Sequence, residues 1–198
     1  SSVKAPAAQA AATEPVPTVP MEVHTMAVAD YAFDEDAFFW GQERYMRKDV
    51  KTLTFQSSLQ NVPSSAWDVS EAGDGSVLAW MDNGNLYVAA DGAIAPNSNA
   101  SCLLQDFANL KTIDFGNCFD TSNVTDMHSM FAGCSSLTSI ILPESLTSIG
   151  DSAFSGCNGL TSIILPESLT SIGSYAFYDC NGLTSITLPE SLTSIGSY

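Results

Sequence analysis

The stretch Leu137-Thr138-Ser139-Ile140-Ile141-Leu142-Pro143-Glu144-Ser145-Leu146-Thr147-Ser148-Ile149-Gly150 recurs unchanged at 160–173, and again at 183–196 with Thr187 in place of Ile141. The copies start 23 residues apart, at Leu137, Leu160 and Leu183. A fixed period of this length marks a solenoid: one copy cannot bury its apolar face alone, and stacked neighbours supply the missing wall. Within a copy the period of two points Ile140 and Leu142 inward and Ile141 outward. Pro143 lacks an N–H and ends the ladder. Leu146 and Ile149 turn in again, and Gly150 permits the corner. Asp151-Ser152-Ala153-Phe154 reads as a tight or helical turn with Asp151 as its N-cap, after which Phe154 and Cys157 close the coil. Each coil so gives about six apolar side chains to a shared core, worth about 1.5–3 kcal/mol apiece when fully buried. That offsets the ordering entropy of a coil only when neighbours flank it on both sides.

The same phase extends outward from the copies. Leu104, Phe107, Leu110, Ile113 and Phe115 take the positions of Phe131, Cys134, Leu137, Ile140 and Leu142. The step from Leu110 to Leu137 is 27 residues, so this coil is longer by four, with the extra text in 117–127. Residues 104–198 are therefore predicted to form the solenoid. The text stops at Tyr198, before the Ala-Phe-x-x-Cys part of a further copy, so the natural protein is expected to continue or a partner to cover this end. Residues 31–103 are read as an N-terminal cap. Within it, 50–67 is a degenerate first coil, with Leu53 and Phe55 in the phase of Ile140 and Leu142. Residues 76–91 read as a β-hairpin that interrupts the solenoid: Asn83-Gly84 between two β-prone runs signals a type I′ turn. Asp34 to Gly41 is expected to be a short helix, acidic residues first and Gly41 last, with Phe38, Phe39 and Trp40 covering the exposed end of the first coil. Residues 1–30, rich in Ala, Pro and Val, are expected to be a disordered linker.

The 198 residues carry a net charge of −16, and only 6 of them are Lys or Arg, none after Lys111. Nucleic-acid binding needs a basic footprint and is excluded. Attachment to anionic lipid is disfavoured for the same reason, and no apolar run reaches the ~18 residues of a membrane span. Of the 5 cysteines, Cys134, Cys157 and Cys180 share one repeat position. Parallel side chains about 4.8 Å apart do not converge as a disulfide requires, so a ladder of small buried thiols is expected.

The text L-T-S-I-x-L-P-E-S-L-T-S-I-G-x-x-A-F-x-x-C-x-x-L resembles the leucine-rich repeats of BspA-type bacterial surface proteins, closely over 104–198 and loosely over 50–67. Phe119 to Met127 with Met130-Phe131 resembles a sister repeat of bacterial surface proteins. The fold expected is an α/β-type leucine-rich-repeat solenoid, β-dominated, with one parallel strand per coil of about 23 residues and short helical or irregular turns. The resemblance implies an exported, cell-surface protein that adheres to a host extracellular or bacterial surface protein or glycan, and it transfers no catalytic motif, cofactor or metal. The expected contact strip is the outward sheet face: Thr138, Ser139 and Ile141, then Thr161, Ser162 and Ile164, then Thr184, Ser185 and Thr187. Those residue types also suit a strand for its own sake, and the irregular loops at Asp82–Asn85 and 117–127 are the other candidates. A spacer or stalk whose copies only set length is the alternative function. End-to-end pairing through the uncovered last coil is a further expectation.

Catalysis finds little support. His24 falls in the expected linker and His128 on a solvated turn, and no Gly-x-Ser-x-Gly elbow is present. Asp114-Phe115-Gly116 copies a kinase tripeptide by chance, Phe115 being a core position. The acidic sets Asp34/Glu35/Asp36 and Asp114/Asp120/Asp126 follow no calcium-loop pattern and read as a solvated face.

Overall fold

Twelve short strands carry the fold of residues 21–31 and 34–198, which this computed structural model describes: β1 (Val23–Thr25), β2 (Thr52–Gln56), β3 (Trp67–Asp68), β4 (Leu78–Asp82), β5 (Asn85–Ala89), β6 (Ala93–Ala95), β7 (Thr112–Asp114), β8 (Ser139–Ile141), β9 (Ser148–Ile149), β10 (Ser162–Ile164), β11 (Ser171–Ile172) and β12 (Ser194–Ile195). The one helical element among the described residues is a 3₁₀ turn at Arg47–Asp49. The chain is β-dominated, and the repeats lie side by side. β8 and β10 pair in parallel with Ile140 opposite Ile163 and Ile141 opposite Ile164. Each repeat also contributes a second short strand that was not expected: β9, β11 and β12 form their own parallel sheet with Ile149, Ile172 and Ile195 in register. Pro143 ends the first strand, and Leu146 and Ile149 bury their side chains to begin the second. The third copy pairs only through β12; residues 183–188 form no strand, and Ile186 is half-buried. That segment has a neighbouring rung on one side only among the described residues.

The turns between coils are not helical. Ser129, Ser152 and Tyr175, one repeat position, have φ of 54°, 55° and 57°. A left-handed residue breaks a helical run, and the backbone bonds run from coil to coil instead. The N–H groups of Ser152, Phe154 and Gly156 donate to the carbonyls of Ser174, Ala176 and Tyr178 at 2.8–2.9 Å. Asp151 is not an N-cap of its own turn; its Oδ1 accepts from Ser174 N, one coil on, at 2.7 Å. Inside, Phe131, Phe154 and Phe177 stack nearly parallel, with centroids 4.9 and 5.5 Å apart. The thiols of Cys134, Cys157 and Cys180 donate to the carbonyls of Leu104, Phe131 and Phe154 at 3.1–3.2 Å. All five thiols are buried, and these three are each bonded to the coil before.

Burial pushes the Cys157 thiol from an ordinary 9.0 up to about 12 and that of Cys180 up to about 11. The thiolate is the reactive form, so all five cysteines are expected to resist iodoacetamide at pH 8 in the folded chain and to alkylate readily in urea. Prompt modification of native Cys157, read by mass spectrometry, would contradict the ladder. The sign for stability follows from the same shift. The unfolded chain releases these protons first, so the contribution is whole below pH 9 and is lost as pH climbs toward 11–12.

Upstream, five strands form one sheet in the order β3-β4-β5-β2-β7. β4 and β5 pair antiparallel across Asn83 and Gly84, whose φ values of 49° and 85° are those of a type I′ turn. The hairpin does not interrupt the stack. β5 lies parallel to β2, with Val88 opposite Phe55, and β2 lies parallel to β7, with Leu53 opposite Ile113.

Two expectations for the N-terminal part are overturned. Residues 21–30 are no linker: β1 pairs in parallel with β6, and Met26 and Ala29 are buried. The linker expected for 1–20 lies outside the described residues. The helix expected at Asp34–Gly41 is replaced by turns and an antiparallel bridge from Phe38 to Met46. Phe39 and Trp40 do enter the core, 5.0 and 6.2 Å from the Phe107 ring, whereas Phe38 stays exposed. The buried Arg47 ties this segment down, donating to the carbonyls of Asp30 and Phe38.

Candidate recognition groove

The parallel ladder gives way between the β7 and β8 rungs. β7 bonds to β2 and β8 bonds to β10, but β7 and β8 are not joined. Their contact narrows to a single backbone bond before the strands, from Thr138 N to Lys111 O at 3.4 Å. On the opposite side the two coils remain stitched, with Leu104 and Asp106 N–H groups donating to Met130 and Ala132 carbonyls at 2.8 Å. The sheet side is therefore splayed while the turn side stays closed.

The long coil explains the splay. After β7, Gly116 and Asn117 take φ of 60° and 52° and redirect the chain. A Cβ on Gly116 would sit 2.3 Å from Phe55 O, so only glycine fits there. The extra residues then bond to β6 rather than to the next coil: Ile94 N donates to Cys118 O at 2.7 Å and Asp120 N to Ile94 O at 2.8 Å. Phe119 is pulled in against Phe55, with centroids 4.4 Å apart.

The result is a groove of about 860 Å³ between the β7 and β8 rungs, walled on a third side by Met21, Val23 and Ala93. Its ends are closed by the Lys111–Thr138 bond and by Thr121, whose N–H donates to Ser145 Oγ at 3.0 Å. Ile113 and Phe115 form apolar lining and are only half-buried, unlike their equivalents Ile140 and Leu142. Phe115 packs on the edge of the core, as expected, and also lines the groove. Asp114, Asp120 and Glu144 also line the groove, and among the described residues no Lys, Arg or His does. Asp114 and Asp120 each spend Oδ1 on the N–H two residues on, at 2.9 Å, as does Asp126 outside the groove. These carboxylates shape turns, and among the described residues no cluster able to hold a metal forms.

The expected strip residues fall into three groups. Ser139 and Ile141 line the groove and Thr138 stands at its closed end. Thr161, Ser162 and Ile164 form the next rung in register, with Ile141 and Ile164 exposed at 66% and 59%. Thr161 gives its hydroxyl to Thr138 O at 3.1 Å, so it stitches coils together. Thr184, Ser185 and Thr187 are exposed but belong to no strand. Reading the strip as uniform missed Ile113, Asp114, Phe115 and Glu144; the signal that marks them is the four-residue excess of the coil that follows β7. His24, expected in a linker, lies in β1 with Nε2 3.0 Å from Asp91 O.

Residues 125–198 match the sequence pattern of the BspA type leucine rich repeat region, in 6 copies. No curated protein matches the sequence. Among solved structures, a leucine-rich repeat protein from Eubacterium ventriosum is 28% identical over 54% of this chain and 27% of its own, with a TM-score of 0.43. One from Bacteroides ovatus is 24% identical over 86% of this chain and 36% of its own, with a TM-score of 0.49. A leucine rich cell surface protein from Faecalibacterium prausnitzii is 30% identical over 53% of this chain and 25% of its own, with a TM-score of 0.36. The chain spans less than two thirds of the length of each.

Proposed function

With residues 125–198 forming a BspA-type leucine-rich repeat region, we propose that the chain is a non-catalytic recognition module, displayed outside a bacterial cell, that binds a protein through the groove between β7 and β8. The observation that carries this reading is the bounded break between β7 and β8, with paired rungs on both sides of it. It leaves Ile113, Phe115 and Ile141 open to solvent beside polar groups, the mixture that a specific interface uses. In this reading the stacked coils are a solenoid that holds the groove rigid, and the β4–β5 hairpin closes the solenoid's upstream end. The strongly acidic composition suits a long-lived soluble ectodomain.

The identity of 137–150 and 160–173 favours a second reading, in which the coils are a spacer without a ligand. The two separate on one experiment. The immobilised chain is exposed to a panel of extracellular-matrix proteins, bacterial surface proteins and glycans, beside an Ile141→Asp variant. The recognition reading expects at least one protein to bind and the substitution to weaken it about tenfold or more, as for an apolar contact at the centre of an interface. Uniform silence, or binding that ignores Ile141→Asp, favours the spacer.

A further inference from the structure

Resting on that reading, we propose that the partner enters the groove as an extended, positively charged segment with an aromatic or branched aliphatic residue at its centre. Three independent features of the groove point to this chemistry. The first is charge. Asp114, Asp120 and Glu144 line the groove and, among the described residues, no base does; Lys111 stands one residue before β7 and gives its carbonyl to the closed end. Asp114 and Asp120 bind their own turns through Oδ1, which leaves each Oδ2 to meet a donor. Glu144 is exposed and makes no ion pair or hydrogen bond among the described residues. An acidic segment would meet like charge here, and a basic one is steered in.

The second feature is the apolar lining. Ile113, Phe115 and Ile141 approach from both rungs, and Phe115 is backed by Phe55 and Phe119 at 5.8 and 5.2 Å. The ring stack holds Phe115 in place, so the anchor meets a preformed surface and little ordering cost is left to binding.

The third is backbone. β7 is bonded on its β2 side and β8 on its β10 side, so their facing edges are unpaired. Unpaired edges are templates for an added strand, and an extended peptide satisfies one of them with its own N–H and C=O groups where the rungs splay apart. A strand alternates its side chains, so basic residues on one face reach the carboxylates while the anchor on the other meets Phe115. The bonds at Lys111–Thr138 and Thr121–Ser145 limit the groove to a short segment.

The test titrates the full chain with three acetylated, amidated heptapeptides, followed by calorimetry and by amide NMR shifts. One alternates lysine with isoleucine around a central phenylalanine. The second replaces lysine by glutamate, the third replaces the apolar residues by serine. The inference expects saturable binding of the first alone, with shifts centred on Ile113, Ser139 and Glu144. The double variant Asp114→Asn/Glu144→Gln, which keeps the acceptor for Gly116 N, is expected to weaken it about fivefold in low salt and less in high salt. Equal binding of all three peptides, binding of none, or displacement of the first by a neutral glycan would overturn it. If the protein panel binds through Ile141 while no peptide does, the recognition reading stands and the basic segment is wrong. If the peptide binds in the groove while the panel is silent, the groove's chemistry stands and the proposed protein partner fails.

Discussion

Phe154→Ala is expected to lower stability by about 3–5 kcal/mol, the range for truncating a large buried aromatic. That is a large part of the 5–15 kcal/mol that typically holds a domain folded. Phe154 is 0% exposed and is sandwiched between Phe131 at 4.9 Å and Phe177 at 5.5 Å, with interplanar angles of 9° and 7°. Its backbone also receives the Cys180 thiol on its carbonyl, so the ring sits where three coils meet. In a one-dimensional array each coil is stabilised only by its neighbours. A cavity at this position therefore weakens the interface on both sides at once. Urea unfolding followed by circular dichroism should show a separate early transition for the coils beyond residue 150, where the intact chain unfolds later. Phe177→Ala is the internal comparison. Phe177 is half-buried and stacks on one ring only, so about 1.5–3 kcal/mol is expected. Equal losses for the two, or a loss below 1 kcal/mol for Phe154, would mean that the ring ladder is not what couples the coils.

The repeat was legible because its copies constrain one another. Ile140 and Ile141 alternate in burial as a period of two requires, and the inward set through Phe154 and Cys157 follows from the same text. Local text failed where a distant partner decides. Asp34–Gly41 has the residue order of a short helix, yet Phe39 and Trp40 are drawn onto Phe107, and that docking fixes Trp40 in a left-handed conformation. Val23–Thr25 has too few residues to show a pattern, and it becomes a strand only because β6 offers an edge. The groove was half legible. The four-residue excess after β7 announces irregularity, but whether the ladder opens depends on Asp120 and Cys118 choosing Ile94 over the following coil. Gly150 was placed at a corner for its flexibility, whereas its backbone is ordinary and what matters there is space.

That distinction yields a second large effect, at Gly173. Its φ is not left-handed, so conformational freedom does not require glycine. A Cβ at this position would lie 2.6 Å from Asp151 N and 2.7 Å from Gly150 C, both backbone atoms of the coil beneath. Gly150 and Gly196 face the same obstruction, with Cβ contacts of 2.7 Å to Met127 C and 2.4 Å to Ser174 N. The glycines form a column that lets successive corners touch, and Gly173 N bonds to Ile149 O at 2.7 Å across it. Backbone cannot swing aside as a side chain does, so Gly173→Ala must push two coils apart along β9 and β11. A cost of about 3 kcal/mol is expected, the upper end for overpacking. Gly156→Ala is the control. Gly156 has φ of 76° with nothing closer than 3.7 Å to an added Cβ, so only the left-handed penalty of about 1 kcal/mol applies. Asp179, at the same repeat position with φ of 60°, shows that a side chain is tolerated there. If chemical denaturation ranks Gly156→Ala as the more damaging of the two, then torsion rather than coil contact sets the glycine column, and the coils do not meet as closely as their backbones indicate.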